Sequence, residues 1–289
     1  MDGNGDTGRV FLMSYFRKQK AGLHLAYSHS GLDWTPLNNN KPVYSSTLKG
    51  HGSLMRDPYV AQGTDGLFHL VWTVDWRGRH IGHAESRDLI EWENARYLPV
   101  MADVGDCKNC WAPEFIYNEK TALYRILWAS VAGGKKYQRM WSATTKDFKE
   151  ISKPSVFFDP GFSCIDATIV KGDDEWYLVF KDERITFWKG FKSIRIATSK
   201  DIDGPYGNVS ETVTPSPVEG PTVFKLKDKW VMFYEHYVRR RYRASVSKDF
   251  KSWRVMRPGP KFPDGARHGA VFTVSKQVFA PLKERFGKK

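Results

Sequence analysis

Only 3 cysteines occur in the 289 residues, Cys107, Cys110 and Cys164. An odd count without paired spacing excludes a disulfide framework. Cys107-Lys-Asn-Cys110 is a lone C-x-x-C, with no second pair and no βαβ context, so it reads as ordinary thiols rather than a zinc or thioredoxin-like motif. No run of about eighteen apolar residues is present, so nothing predicts a membrane span. Helical periodicity is missing except at the end, where QVFAPLKERF predicts a short tail helix. The helix-turn-helix, zinc-finger and aromatic RNP patterns of nucleic-acid binding are all missing, so no nucleic-acid partner is expected. The polar start, MDGNGDTGRV, is not a signal peptide. The compartment therefore stays open: cytoplasmic as the chain stands, secreted or periplasmic if a leader was removed.

Acidic charge is in the minority. Lys and Arg number 45 against 32 Asp and Glu, a net charge of +13. Such a surface suits an anionic partner, for example a polysaccharide bearing uronate or phosphate. The densest basic run is Arg239-Arg240-Arg241-Tyr242-Arg243. On a strand, alternation would send Arg239, Arg241 and Arg243 to one face and Arg240 to the other; a solvated outer hairpin is the plainer reading. Aromatics make up 15% of the chain, with 11 Trp. Most are expected to pack in the interior and a few to offer flat surfaces for a sugar.

What the chain does have is a repeat. MRDPYV (55–60), WAPEFI (111–116), CIDATI (164–169), VEGPTV (218–223) and ARHGAV (266–271) follow one another with landmarks Asp57, Pro113, Asp166, Glu219 and His268. A period near fifty with strand-like content is what a β-propeller blade produces. Each period reads as four short strands; the fourth gives ATIVKG, WYLVFKD, IRIATS and KDIDGPY. A second repeat shares the period: SHSGLDW, SRDLIEW, TTKDFKE, TSKDIDG and SVSKDFKSW. There a hydroxyl and an aspartate are placed to bond turn backbone, with an aromatic beneath. The N-terminal stretch lacks an inner segment and the C-terminal stretch supplies one alone. Pairing them completes a blade and removes exposed edges. The expected fold is all-β, a five-bladed β-propeller of four-stranded antiparallel blades closed by its termini. No linker breaks the repeat, so residues 1–289 are read as one catalytic domain, with 1–9 disordered and 277–289 a tail.

If each segment is an innermost strand, Asp57, Asp166 and Glu219 surround one central pocket. Clustered carboxylates on facing elements are what glycoside hydrolysis needs. A third carboxylate near the acid raises that acid's pKa and keeps it protonated.

The order RDP, WAPE, IDA, VEGP, RHG, over roughly residues 10–275, resembles glycoside hydrolase family 43, the five-bladed propeller family of arabinofuranosidases and xylosidases. The resemblance implies single displacement with inversion. It implies Asp57 as general base, Asp166 as the residue that tunes and orients the acid, and Glu219 as general acid. It also implies that Trp111 lines the sugar pocket and that His268 stands in the central channel near water or a calcium ion. No cofactor is required on this reading; calcium is expected only as a structural ion, held by His268 through water. The first motif is R-D-P where the family more often has A-D-P. Arg56 is thus either a sugar-binding group at the rim or a salt-bridge partner between blades. Glu114 either binds a sugar hydroxyl or pairs with a cation, and His268 also reads as a hydrogen-bonded core histidine. Arg267 is the remaining basic residue of the inner segments and a further candidate for substrate binding. Asp182, Glu183, Glu235 and His236, at the ends of second strands, read as structural.

The expectation is a monomeric, exo-acting glycosidase that removes a terminal α-L-arabinofuranose, β-D-xylose or galactofuranose from an oligo- or polysaccharide. The loops 38–54, 100–110 and 184–192 are the expected specificity elements, the last through Phe187, Trp188 and Phe191. Rival readings are a family 32-like fructosidase, which needs N-D-P and E-C motifs that this chain lacks; a sialidase, which needs more inner-strand arginines than Arg56 and Arg267; and a carbohydrate-binding propeller without activity.

Overall fold

A computed structural model describes residues 8–18, 22–186 and 190–287. Its strands are short, antiparallel and grouped by sequence neighbourhood, as the repeat requires. Blade one holds β1 (Arg9–Phe16), β2 (His24–Ser28) and β3 (Thr35–Pro36). Blade two holds β4 (Arg56–Gln62), β5 (Phe68–Thr73), β6 (Ile81–Ser86) and β7 (Glu93–Leu98). Blade three holds β8 (Trp111–Asn118), β9 (Leu123–Ser130), β10 (Arg139–Thr145) and β11 (Ser155–Phe158). Blade four holds β12 (Cys164–Lys171), β13 (Trp176–Thr186) and β14 (Gly190–Ser199). Its fourth place is taken by the segment 207–213, bonded to β14 through Thr198–Gly207, Ser210–Ile196 and Val213–Ile194. Blade five holds β15 (Glu219–Leu226), β16 (Lys229–His236), β17 (Arg241–Ser247) and β18 (Arg254–Val255).

The last strand, β19 (Arg267–Ser275), is the inner strand of blade one. It pairs with β1 from Arg9↔Ser275 to Phe16↔Arg267, so the two ends of the chain close the ring as expected. Each inner strand, β4, β8, β12, β15 and β19, is paired on one side only and turns its other edge to the ring's centre. The predicted tail helix is α1 (Lys276–Phe286), capped by Ser275, whose hydroxyl accepts from the Val278 N–H at 3.3 Å. It buries Phe279 and Leu282 in the core between blades one and two. Residues 1–7 of the stretch expected to be disordered lie outside the described residues, and Arg9 already belongs to β1.

The hydrophobic core is divided into five clusters, one at each contact between adjacent blades. A twisted sheet with two apolar faces can bury both only by packing against a neighbour on each side. Trp72, Trp128, Phe180 and Phe233 are among the fully buried residues that fill these contacts. The second repeat forms the outer turns. Ser86, Thr145 and Ser247 accept from turn backbone through their hydroxyls, and Asp88, Asp147 and Asp249 accept from residues two or three further on. The residue beneath is buried Leu89, Phe148 or Phe250, each in the left-handed region.

One local device positions the site. Four inner strands carry a β-bulge at the same place, where the register slips between Arg56 and Tyr59, Trp111 and Glu114, Ile165 and Thr168, and Glu219 and Thr222. At each bulge one residue has a left-handed φ: Asp57 (52°), Ala112 (45°), Asp166 (54°) and Gly220 (59°). This corrects the landmarks read from sequence. The structural equivalents of Asp57 and Asp166 are Ala112 and Gly220, not Pro113 and Glu219. Glu219 stands one residue earlier, level with Arg56, Trp111 and Arg267. A bulge sets two residues against one and re-aims their side chains, so simple alternation fails there.

Candidate active site

The bulges deliver Asp57, Asp166 and His268 to one level of the central channel. Asp57 is 7% exposed. Its Oδ2 accepts from the Thr73 hydroxyl at 2.8 Å, and Thr73 in turn accepts from the Ala112 N–H at 2.8 Å. The His268 Nδ1 lies 3.3 Å from Asp57 Oδ1, and Arg56 Nη2 lies 3.7 Å from the same oxygen. Asp166 Oδ2 accepts from the Gly220 N–H at 3.1 Å. A Cβ on Gly220 would stand 2.7 Å from the His268 ring, and its φ is +59°. Glycine is required there for both space and backbone.

Burial by itself would raise the Asp57 carboxyl. The His268 and Arg56 cations and the Thr73 hydrogen bond outweigh it and hold the group down at about 2. For Asp166 burial wins, aided by the charges of Glu219 and Asp57 against the opposing pull of His268 and Lys181, and the carboxyl rises to about 6. Burial disfavours the His268 imidazolium, yet Asp166, Asp57 and Glu219 raise it to about 9. Around neutrality this site therefore holds an imidazolium between two acids that differ in their readiness to ionise.

Glu219 sits at the next level outward. Its Oε2 accepts from Lys181 Nζ at 2.8 Å, and its Oε1 lies 3.5 Å from Arg267 Nη2. Lys181 is buried, also donates to Glu183 at 2.7 Å, and stands 4.8 Å from the centre of the Tyr237 ring. Arg267 donates from Nε to Glu235 Oε1 at 2.7 Å, while Glu235 Oε2 accepts the His268 N–H at 3.1 Å. Glu114 is partly buried, and burial pushes its carboxyl up to about 8, beyond what the Thr168 hydrogen bond and His268 restore. Of the two readings of Glu114, pairing with Arg or Lys is not what the described residues show; its side-chain partner is Thr168.

Arg56 does not alternate away from Asp57, because both belong to the bulge. Its guanidinium lies 4.8 Å from the Phe16 ring centre and 4.3 Å from that of Trp76. Arg56 thus packs between Phe16 of blade one and Trp76 after β5, with its ion pair made to Asp57 on its own strand. Trp111 donates its indole N–H to the Trp76 carbonyl at 3.1 Å, and the two indoles meet edge to face. Asp182 pairs with Arg184 and Arg195, and Glu183 with Lys181 and Lys192, as structural residues do.

Sequence reading missed three residues. Thr73 ends the second strand of blade two and Trp76 lies in the loop after it, and nothing in the sequence marked them out. Lys181 could have been found: a lone cation inside the apolar run WYLVFK must be buried and paired. Of the expected specificity loops, 38–54 and 100–110 flank the segment carrying Trp76, through Leu54–Val74 and Gly78–Lys108 backbone bonds. Phe187 and Trp188 lie outside the described residues, as does the Phe191 side chain. The run 239–243 starts in the turn after β16, so alternation begins only at Arg241. Arg239, Arg240, Arg241 and Arg243 are exposed and Tyr242 is buried. A calcium ion fits the central residues poorly. Calcium takes six to eight oxygens, whereas His268 already places a cation against Asp57, and Lys181 and Arg56 neutralise the acids beside it.

This geometry is a cluster of carboxylates around one imidazolium at the centre of a propeller, and comparison with known proteins gives the family. A probable glycosyl hydrolase domain related to family 43 matches residues 6–279. The chain belongs to that family. An α-L-arabinofuranosidase of Bifidobacterium longum subsp. longum is 21% identical over 330 residues, which cover 85% of this chain and 31% of that protein. The chain thus spans about a third of the length of the curated relative it matches. An α-L-arabinofuranosidase from Clostridium thermocellum superposes with a TM-score of 0.63 at 12% identity, covering 91% of this chain and 92% of the other. An endo-arabinase from Bacteroides thetaiotaomicron gives 0.60 at 17% identity, covering 76% and 87%. At such identities the superpositions establish the shared fold.

Proposed function

We propose that this chain is a monomeric, exo-acting, inverting glycosidase that removes a terminal furanose or pentose, such as α-L-arabinofuranose, β-D-xylose or galactofuranose, from a plant or microbial polysaccharide. The observation that carries the reading is the convergence of Asp57, Asp166 and Glu219, from three different blades, at one end of the central channel around His268. In the proposed step a water between Asp57 and the anomeric carbon loses a proton to Asp57 and attacks. The glycosidic bond breaks, and Glu219 gives its proton to the departing oxygen. Asp57, held near 2, is ionised at any working pH and ready to accept that proton. Asp166 stands beside the Glu219 backbone step through Gly220 and tunes the acid. Lys181 and Arg267 fix the direction of the Glu219 carboxyl before substrate binds. Trp111, Trp76 and Arg56 form the wall against which the sugar rests.

A second assignment of the acid has one observation in its favour. Glu114 is the carboxyl held up at about 8, protonated at neutral pH. Its neighbours are Thr168, His268 and Asp166, and the proposal keeps it as a hydroxyl-binding group. The exposed arginines 239–241 and 243 belong to the hairpin whose Tyr237 touches Lys181, so they rise at the mouth of the site. That placement supports a polymer carrying acidic groups.

The test is hydrolysis of nitrophenyl α-L-arabinofuranoside, β-D-xyloside and β-D-galactofuranoside by the wild type, Glu219→Gln and Glu114→Gln, with the first-formed anomer read by NMR. Turnover of one furanoside or pentoside with inversion, lost in Glu219→Gln and kept in Glu114→Gln, is the expected result. Loss in Glu114→Gln with activity kept in Glu219→Gln would reverse the assignment. Sugar binding without turnover in the wild type would leave a carbohydrate-binding propeller.

A further inference from the structure

Blade two carries a second cluster at the far end from the carboxylates. His69 on β5 faces Glu85 across the strand pair, and His83 on β6 shares their side of the sheet. Among the described residues, these three form the group of His, Cys, Asp or Glu side chains whose ligand atoms all lie within 4.8 Å of one another. His69 is 1% exposed and His83 0%. His69 Nδ1 and His83 Nε2 are 3.1 Å apart. Two nitrogens about 2.0–2.1 Å from a tetrahedral zinc ion stand about 3.3 Å from each other, so the pair is already near ligand spacing.

We propose that His69, His83 and Glu85 form a structural site for a divalent transition metal of the zinc class, with water as the fourth ligand. The hydrogen-bond pattern prepares the first ligand. His69 Nε2 meets both Asp65 oxygens, at 3.3 and 3.2 Å. A carboxylate on one ring nitrogen places the proton there and leaves the other nitrogen as a lone pair. The His69 Nδ1 lone pair is therefore aimed at His83 Nε2. Without a metal His83 must donate its Nε2 proton to His69; with one, both nitrogens turn to the ion. Phe148 stacks on both rings, with centroids 4.7 Å from His83 and 4.4 Å from His69. Glu85 is now held by Asn94 and, at 3.7 Å, by Arg96, and is 14% exposed. Its side chain swings to the ion on binding and closes the set. Imidazole with one carboxylate selects zinc, cobalt or nickel over calcium or magnesium. Such an ion ties the Thr64–Gly66 turn, β5 and β6 together at the base of the blade, away from the sugar site.

The test uses tag-free full-length protein stripped with chelator and titrated with zinc chloride alone by calorimetry, with metal content counted after dialysis. Cobalt(II) then serves as the spectroscopic probe. One zinc per chain is expected, with the visible bands of tetrahedral cobalt and a raised Tm. Glu85→Gln, a partly exposed change, should weaken binding at least about tenfold, and His83→Gln should abolish it. A wild type that retains no zinc after dialysis overturns the site whether or not the histidine variant folds. So does stoichiometric zinc in Glu85→Gln at undiminished affinity, or octahedral cobalt bands.

Discussion

Replacing His268 by Gln offers the sharpest test of the electrostatics described above, because its effect has a predicted size and a predicted pH window. The His268 imidazolium is raised from the ordinary 6.5 to about 9, a displacement worth roughly 3 kcal/mol at about 1.4 kcal/mol per unit. The ring is 13% exposed, so little of that is lost to solvent screening. The depressed Asp57 carboxyl reports the same ion pair from its other partner, so the two effects are not added. The sign follows from proton binding. Between 6.5 and 9 the folded state holds a proton that the unfolded chain has released. Stability from this group is full below 6.5 and is lost as pH rises through 9. Denaturant unfolding of wild type and His268→Gln from pH 5.5 to 10 should therefore give a difference that shrinks by roughly 3 kcal/mol across that window. Subtracting the variant removes the titration of lysines and tyrosines, common to both. A difference that stays flat, or grows with pH, would refute an imidazolium bound between Asp57 and Asp166.

Gly220→Ala should cost both activity and stability: the added Cβ meets the His268 ring at 2.7 Å and the φ of +59° disfavours it, so kcat for the nitrophenyl glycoside should fall with Tm. Thr73→Val leaves a buried Asp57 oxygen and the Ala112 N–H without their partner, and about 1–3 kcal/mol of unfolding free energy should disappear in a urea titration. Trp76→Ala, 44% exposed in the folded chain, should raise KM for the sugar while leaving Tm nearly unchanged. Changing Arg239, Arg240 and Arg241 together to Ser should weaken binding of a uronate-bearing polysaccharide and flatten its salt dependence, with turnover of a small nitrophenyl glycoside unaltered.

Most of the fold was legible because a propeller writes its period twice, once in the inner segments and once in the outer turns. Both have local causes. An inner strand start needs a polar group at the channel, and an outer turn needs a hydroxyl and an aspartate to bond its backbone, so each blade must spell the same residues at the same place. The division of the inner segment between the two chain ends was legible for the same reason. What the period could not supply was registry finer than one residue. Pro113 and Glu219 were read as level with Asp57, whereas the bulge puts Ala112 and Gly220 there. The signal was in the sequence all the same: proline follows directly in R-D-P, W-A-P and E-G-P, and aligning those prolines gives the observed register.

That one-residue offset decides the chemistry as well. Had Glu219 shared the level of Asp57 and Asp166, three buried carboxylates would face a single imidazolium, and repulsion would keep at least one of them neutral. Standing one step outward, Glu219 instead meets Lys181 and Arg267, both supplied by neighbouring strands. Neither partner could be paired with it by reading along the chain: Lys181 is 38 residues away and Arg267 is 48. The inner level then keeps the fixed Asp57–His268 pair, while the outer level holds a carboxyl whose partners come from side chains longer and freer than a strand backbone. The inner level is thus anchored by bulges and a backbone N–H, and the Glu219 carboxyl one step outward is held by two cations.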